Sequence, residues 1–190
     1  MQTDRLTEEE KQTLLRLARE AMQSAVKGEK LPALNPSTLT ARLKENGASF
    51  VTLTARGQLR GCIGALEPYQ PLAEDVREHA IAAALQDPRF PPVSEEELNG
   101  ITLEVSRLTV PQPLEYKTPE ELIQKLRPTI DGVILRDGFR RATFLPQVWK
   151  QIPDPEKFLE NLCYKMGVSA DAWRRRHLDV MTYQVEEFHE

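Results

Sequence analysis

The sequence is poor in the residues that build metal sites and disulfide frameworks. It has two cysteines, Cys62 and Cys163, and three histidines among its 190 residues. The cysteines lie too far apart along the chain to indicate a disulfide framework, and no pair of cysteines or histidines has the spacing of a zinc site. Neither phosphate-binding glycine pattern, GxxxxGKS/T or GxGxxG, occurs. We therefore expect reduced thiols, no metal and no cofactor.

Long apolar runs are also missing. The longest purely aliphatic run is Ala80–Leu85, which is far too short to cross a bilayer. The N-terminal residues MQTDRLTEEEK contain no apolar core of the kind that a signal peptide needs. These two absences predict a cytoplasmic protein without a membrane segment.

Neither sign of charge is in large excess. The 25 basic and 29 acidic side chains leave a net charge of -4, which argues against a whole-surface attraction to nucleic acid. Hydrophobic residues make up 40% and charged residues 28%, which is typical of a soluble folded protein and not of a disordered one. The length suits one large domain, or one domain with two lobes.

Hairpins interspersed with helices define the predicted fold. Thr7 and Glu10 form a capping box before a helical pattern that ends near Gly28. Two hairpins are predicted at strong turn signals, one from residues 49–54 and 58–64, the other from residues 132–136 and 140–145. Further helices are predicted from Pro71, from Thr118, and over residues 146–152, 155–166 and 170–177, with strands over 101–110 and 178–185. Without regular βαβ alternation, this order predicts an α+β fold with a mainly antiparallel sheet flanked by helices.

Several blocks of the sequence closely resemble one known family. They are LRGCIG at Leu59, ALQDPRFPPV at Ala84, LEVSRLT at Leu103, RATFLPQV at Arg141 and LCYKMG at Leu162. In this order and spacing they resemble the AMMECR domain family, whose prokaryotic members are called AmmeMemoRadiSam system protein A. The resemblance covers essentially the whole chain, residues 8–187, as a single AMMECR-type domain.

The resemblance implies a fold with a large and a small lobe and a cleft at the LRGCIG strand, although the sequence sets no boundary between the lobes. The system name implies an association with a Memo-type protein and a radical SAM enzyme. It implies no established reaction and no oligomeric state, so the candidate site residues are judged on their own chemistry.

The LRGCIG motif places Cys62 between Gly61 and Gly64, two residues after Arg60. Strand alternation puts Arg60, Cys62 and Gly64 on one face. A cation beside a thiol favours the reactive thiolate, and the missing side chain at Gly64 would leave room for a ligand. Against this, a free cysteine is most often a small buried hydrophobe, and strand glycines mark the close approach of another backbone. Cys62 is therefore either a nucleophile or a packing residue.

A thiol nucleophile usually needs a base. His79 follows the motif on a helix, where its spacing predicts a half-exposed residue rather than a base. Glu104 alternates with Leu103 and Val105 along a strand. If its face lines the cleft, Glu104 is a candidate acid/base group or a partner that orients Arg60. If that face is in water, it is a solvated strand residue.

Two charged segments have alternative interpretations as well. Asp87 and Arg89, in a proline-rich loop, either pair to clamp the loop or bind a substrate anion, and the clamp is favoured. The basic run Arg174–His177 follows Trp173, as in segments that stack on RNA bases, but a solvated helix end is favoured. Cys163 is expected in the core.

Two function classes remain open from the sequence. The preferred one is a binding or adaptor protein that presents the LRGCIG cleft to a partner, because no histidine lies in the family motifs. Its candidate binding residues are Arg60, Gly61, Gly64, Asp87 and Arg89. The alternative is a cysteine-dependent enzyme or enzyme subunit, with Cys62 as the nucleophile and Glu104 as the acid/base group.

Overall fold

Antiparallel sheets flanked by helices make up the fold of residues 5–190, the part of the chain that the computed structural model describes. The chain divides into two units, the first formed by the chain up to Thr109 with Glu186–Glu190, and the second by Val110–Val185. The predicted α+β class is confirmed. Among residues 5–190, none of the helices combines the length and apolarity needed to span a bilayer.

The first unit is built on one sheet. Its helices are α1 (Glu8–Val26), α2 (Ala41–Lys44) and α3 (Leu72–Leu85), and its strands are β1 (Asn46–Ala55), β2 (Gln58–Gly64), β3 (Gln70–Pro71), β4 (Ile101–Leu108) and most of β9 (Val185–His189). In the sheet, β2, β1, β4 and β9 lie side by side in that order, and β3 pairs with the start of β1.

Helix α1 begins where the capping box predicts. The Thr7 hydroxyl accepts a hydrogen bond from the Glu10 N–H, and the Glu10 carboxylate accepts one from the Thr7 N–H at 2.8 Å. Helix α1 packs on α3, and α3 packs on β1 and β2. The core between them is aliphatic and includes the fully buried residues Leu14, Met22, Leu53, Val76 and Leu103. The apolar faces predicted from the helical spacing of the sequence are therefore the faces that the helices bury.

The first predicted hairpin is confirmed, with an irregularity that the sequence pattern did not indicate. Strands β1 and β2 pair antiparallel, with Thr52 opposite Cys62 and Leu53 opposite Gly61. The next pair joins Thr54 to Leu59, so Arg60 is an extra residue in a β-bulge. Because a bulge interrupts the alternation of side chains, Arg60 does not follow the face pattern expected for the strand.

The second unit carries its own antiparallel sheet, with strands in the order β5-β8-β6-β7. These strands are β5 (Gln112–Pro113), β6 (Gly132–Asp137), β7 (Arg140–Phe144) and β8 (Asp179–Tyr183), and the helices are α4 (Pro119–Lys125), α5 (Pro155–Met166) and α6 (Ala172–Arg175). The second predicted hairpin is confirmed, because β6 pairs antiparallel with β7, with Ile134 opposite Thr143.

The core of the second unit is partly aromatic. Trp149 stacks on Phe158 with ring centroids 3.7 Å apart, and both are fully buried. Cys163, on α5, is also fully buried, as predicted. Burial raises the pKa of the Cys163 thiol, because a thiolate there would lose its hydration.

The C-terminal region differs from the sequence prediction in three places. The helix expected over residues 146–152 is a short 3-10 helix, Pro146–Lys150. The helix expected over residues 170–177 is a single turn, α6, because Arg176 is already extended and leads into β8. The strand expected over residues 178–185 ends at Tyr183, and a separate strand, β9, follows from Val185. Strand β8 lies in the second sheet and β9 in the first. Apolar and polar residues alternate in the same way in both strands, so the sequence pattern does not show that the chain passes from one sheet to the other.

Candidate functional site

Strand β2, which carries LRGCIG, is an edge strand whose backbone is covered by the loop after α3. Asp87 Oδ2 accepts a hydrogen bond from the Cys62 N–H at 2.9 Å, and Arg89 Nη2 donates to the Cys62 carbonyl at 3.3 Å. Two side chains therefore satisfy the backbone groups that a neighbouring strand would otherwise bind. The backbone of Cys62 is held in place from outside the sheet.

Asp87 and Arg89 form the clamp that was favoured from the sequence. Arg89 Nε donates to Asp87 Oδ1 at 2.9 Å, and Arg89 Nη2 donates to Oδ2 at 2.6 Å. The Arg89 guanidinium, together with the N–H groups of Cys62 and Arg89, holds the pKa of the Asp87 carboxyl well below its usual range. Asp87 is 4% exposed, whereas the Arg89 side chain is about half exposed. The outer part of Arg89 can therefore still contact a bound molecule.

Gly61 allows α3 to lie directly on β2. A Cβ atom added to Gly61 would lie 2.1 Å from the carbonyl oxygen of Ala83, a residue of α3. This is the close backbone approach that strand glycines indicate. Because successive strand residues face opposite sides of the sheet, Cys62 faces away from α3.

Cys62, Thr52 and Glu104 form a row across three neighbouring strands on the face of the sheet away from α3. Thr52, on β1, lies opposite Cys62 of β2 on one side and opposite Glu104 of β4 on the other. The Thr52 hydroxyl donates a hydrogen bond to the Cys62 sulfur at 3.3 Å. All three residues are partly exposed. With strands about 4.8 Å apart, Cys62 and Glu104 are separated by about 10 Å of backbone.

Glu104 has an unengaged carboxylate. Within residues 5–190 it takes part in no hydrogen bond or ion pair. The alternative in which Glu104 orients Arg60 is wrong, since the carboxylate partner of Arg60 is Glu97. Its place on the same face as Cys62 agrees with the expectation that it shares a surface with the thiol, but Thr52 stands between them.

Arg60 does not serve the thiol as predicted. Its guanidinium forms a two-point ion pair with Glu97, Nε to Oε1 at 2.8 Å and Nη2 to Oε2 at 3.1 Å, and Nη1 donates to the Pro91 carbonyl at 2.9 Å. The bulge gives Arg60 this direction, toward the proline-rich loop. The guanidinium that contacts Cys62 is that of Arg89 instead. The sequence pattern could not distinguish the two arginines, because the bulge depends on the partner strand.

The space expected beside Gly64 is also filled. A Cβ atom on Gly64 would lie 2.4 Å from Cγ of Phe50 and 2.4 Å from the Ser49 carbonyl oxygen. Gly64 is therefore required by the aromatic ring that packs across β1 and β2, and the prediction of a ligand gap at this residue is wrong. Thr52 and Glu104 are polar side chains on this same face.

His79 is buried rather than half-exposed, and it lies on the opposite side of the sheet from Cys62. It belongs to a buried polar cluster with Asp75 and Ser49 that the sequence reading missed. Asp75 Oδ2 accepts a hydrogen bond from the Ser49 hydroxyl at 2.6 Å and lies 3.2 Å from His79 Nδ1. The i, i+4 spacing of Asp75 and His79 was the available signal. His79 and Cys62 lie on opposite faces of the sheet, so His79 is not the base for that thiol.

The described residues were compared for clusters of side chains that could bind a metal ion. Across residues 5–190, no three His, Cys, Asp or Glu side chains come close enough together to hold a metal ion.

The two ion pairs beside β2 predict a loss of stability in acid. Arg60 lowers the pKa of Glu97 to about 2, and Arg89 lowers that of Asp87 further. A carboxyl whose folded-state pKa is depressed stabilises the fold above its unfolded pKa of about 4, and this contribution is lost as the pH falls below it. We expect the urea midpoint to be level above about pH 5 and to fall steadily toward pH 2.

The matched variants for this prediction are Glu97→Gln and, as a control, Glu29→Gln, which changes an exposed carboxylate after α1. Glu97→Gln should flatten the acid limb of the urea midpoint against pH, whereas Glu29→Gln should leave it unchanged. An equal acid slope in wild type and Glu97→Gln would show that the Arg60–Glu97 pair adds nothing to stability.

Known proteins are similar to this chain over nearly its whole length. A model of the AMMECR1 family matches residues 15–188. A protein of Thermofilum pendens is 41% identical over 199 residues, covering 97% of this chain and 91% of its own. One of Methanothermobacter thermautotrophicus is 41% identical over 186 residues, covering 97% and 96%. The crystal structure of the uncharacterized protein PH0010 from Pyrococcus horikoshii is similar with a TM-score of 0.77 and 37% identity, covering 97% and 93%. This chain therefore belongs to the AMMECR1 family.

Proposed function

We propose that this protein is a non-catalytic binding or adaptor component that acts with a Memo-type protein and a radical SAM enzyme. In this proposal the LRGCIG strand and its neighbours form the floor of the binding cleft. The observation that carries it is the row of Cys62, Thr52 and Glu104, which are aligned on one sheet face and partly exposed. A carboxylate and a hydroxyl on one sheet face offer polar contacts to a partner.

The backbone beneath this row is rigidly supported, which suits recognition. Helix α3 lies directly against Gly61 on one side of the sheet, and Asp87 and Arg89 hold the backbone of Cys62 at its edge. A binding surface that is already ordered loses little conformational entropy when its partner docks. The half-exposed guanidinium of Arg89 adds a cation beside the row.

Direct binding measurements test the proposal. Purified Memo-type protein and radical SAM enzyme, from a genome that encodes both, are passed over the immobilised protein, and Kd is measured. We expect binding to at least one of them, weakened about tenfold or more by Glu104→Arg. The matched control, Glu29→Arg, places the same charge change at an exposed position after α1 and should leave Kd unchanged. No binding by the wild type, or equal Kd for Glu104→Arg, would contradict the proposal.

A cysteine-dependent enzyme is the second candidate, favoured by the partial exposure of Cys62 and the hydrogen bond from Thr52 to its sulfur. The position of His79 on the other side of the sheet weighs against it. Alkylation by iodoacetamide at neutral pH, followed by peptide mass spectrometry, separates the two thiols. Fast modification of Cys62, with Cys163 unmodified, would support the enzyme function. If Cys62 reacts only after denaturation, the proposed enzyme has no accessible nucleophile. If Cys62→Ser retains full partner binding, the adaptor function does not require the thiol.

A further inference from the structure

The row of polar side chains on the outer face of the first sheet extends to a fourth strand. Strand β9 lies beside β4, and its residues from Glu186 onward belong to the first unit. The Glu190 N–H donates to the Leu103 carbonyl at 3.2 Å. Residues that bond in this way in an antiparallel pair are directly opposite each other. The preceding residue, His189, therefore lies opposite Glu104.

Two further observations support this register. Arg107 forms an ion pair with Glu186 at 3.2 Å, so the contacts run in opposite directions along β4 and β9, as they do in antiparallel strands. Phe188 then lies opposite Val105, and both are buried in the core on the inner face. The side chain of His189 is exposed, as expected on the outer face. The complete polar row, one residue from each of the four strands, is Cys62, Thr52, Glu104 and His189.

Three neighbouring members of the polar row offer hydrogen-bond acceptors. The Thr52 hydroxyl donates its only hydrogen to the Cys62 sulfur, so its oxygen is left to accept. The Glu104 carboxylate can only accept, and it has no donor within residues 5–190. His189 Nδ1 lies 2.8 Å from the Glu190 carbonyl oxygen, which cannot donate, so Nδ1 carries the hydrogen. In the neutral ring Nε2 is then an acceptor.

A partner that covers the polar row therefore has to bring donors. A carboxylate that loses its water without gaining a donor destabilises the complex, and a charged donor compensates best. The two ends of the row differ in charge. At the Cys62 end, Asp87 and Arg89 neutralise each other. At the other end, Glu104 has no cation bound to it in the described part of the chain. The end formed by Glu104 and His189 thus suits a positively charged donor.

We propose that a cationic side chain of the partner, an arginine in preference to a lysine, binds at Glu104 between Thr52 and His189. The inference rests on the proposed binding role of this sheet face and adds the chemistry of the partner. A guanidinium has five N–H donors in a fixed fork, whereas an ammonium has three on one atom. The fork can donate twice to Glu104 and once more to an acceptor on a neighbouring strand, about 4.8 Å away.

The test is an NMR titration of the full-length protein with three capped tripeptides. Each has a glycine at both ends and arginine, lysine or citrulline in the centre. Citrulline has the shape of arginine, but its urea group is neutral. The backbone amide signals of Thr52, Glu104 and His189 report binding at the polar row. We expect saturable shifts with the arginine peptide, weaker binding of the lysine peptide, and binding of the citrulline peptide that is weaker by about tenfold or more.

Variants assign the effect to individual side chains. Glu104→Gln keeps the size and one acceptor but removes the charge, so it should weaken the arginine peptide about tenfold and bring it level with the citrulline peptide. His189→Phe keeps a ring but removes the acceptor, and it should weaken the arginine peptide about threefold. The control Glu29→Gln, at an exposed carboxylate after α1, should bind like the wild type. The amide spectrum of each variant shows whether it is folded.

The outcomes separate this inference from the adaptor proposal. Absent or non-saturating shifts, or equal affinities for the arginine and citrulline peptides, would overturn the inference even if a partner protein binds and Glu104→Arg weakens it. Equal affinities of Glu104→Gln and Glu29→Gln would also overturn it, because the peptide would then bind elsewhere. Binding of the arginine peptide at the polar row without binding of either partner protein would support the cation site and contradict the adaptor proposal.

Discussion

Replacement of Gly61 by alanine is expected to lower the free energy of unfolding by about 3 kcal/mol or more. The added Cβ atom would lie 2.1 Å from the Ala83 carbonyl oxygen, far inside van der Waals contact. The obstacle is backbone of α3, not a flexible side chain, so relief requires the helix to move away from β2. Such a movement opens the core between α3 and the sheet, which forms the interior of the first unit.

Gly100→Ala is the matched control for Gly61→Ala. A Cβ atom on Gly100 would meet nothing within 4 Å, and Gly100 has an ordinary backbone conformation. Its effect on the free energy of unfolding, measured by urea denaturation, should stay within about 0.5 kcal/mol. Equal stabilities of the two variants would mean that α3 does not lie against β2 as described. Because the loop with Asp87 and Arg89 follows α3, Gly61→Ala should also weaken partner binding at the proposed cleft.

Asp75→Ala should destabilise the first unit by about 3 kcal/mol. Asp75, Ser49 and His79 are all buried, and both neighbours bind the same carboxylate oxygen. Without Asp75, the Ser49 hydroxyl and the His79 ring remain in the core without this acceptor, and a small cavity is left behind. Asp75→Asn keeps the shape and one acceptor oxygen, so we expect it to cost less than the alanine variant.

Glu78→Ala is the control for the Asp75 variants, since Glu78 is an exposed carboxylate on the same helix. Its hydrogen bond from Gln70 is also exposed and should contribute little. Urea denaturation should rank the variants from most to least stable as Glu78→Ala, Asp75→Asn and Asp75→Ala. Wild-type stability of Asp75→Ala would show that the buried cluster contributes nothing to folding.

Most of the elements could be predicted because their signals are local. The capping box of Thr7 and Glu10 sets the start of α1, and the Asp137-Gly138 turn sets the second hairpin. The clamp of Asp87 and Arg89 is local as well, since the residues are two apart in a loop stiffened by prolines. These features depend on neighbours within a few residues, which a sequence displays directly.

The errors at the site have a common physical origin in partners that are distant along the chain. Arg60 leaves its expected face because of a bulge that exists only in the pairing of β1 with β2. The space beside Gly64 is closed by Phe50, a cross-strand neighbour. Asp75 and His79 showed helical spacing, but Ser49, their third member, comes from a strand. Such contacts follow from packing and register, which one-dimensional patterns do not contain.

Local chemistry alone therefore predicts α1, α3, α4 and α5, both hairpins and the α+β class, and the ordered motifs predict the family. It also places Cys62 on a strand whose glycine neighbour admits another backbone. Tertiary packing alone brings Glu104 into line with Thr52 and Cys62 of the first hairpin, because the register pairs β1 with β4, and the facing residues Thr52 and Glu104 are about 50 residues apart in sequence. The choice of Arg89 over Arg60 as the cation at Cys62 depends in the same way on a loop that folds back over the sheet edge.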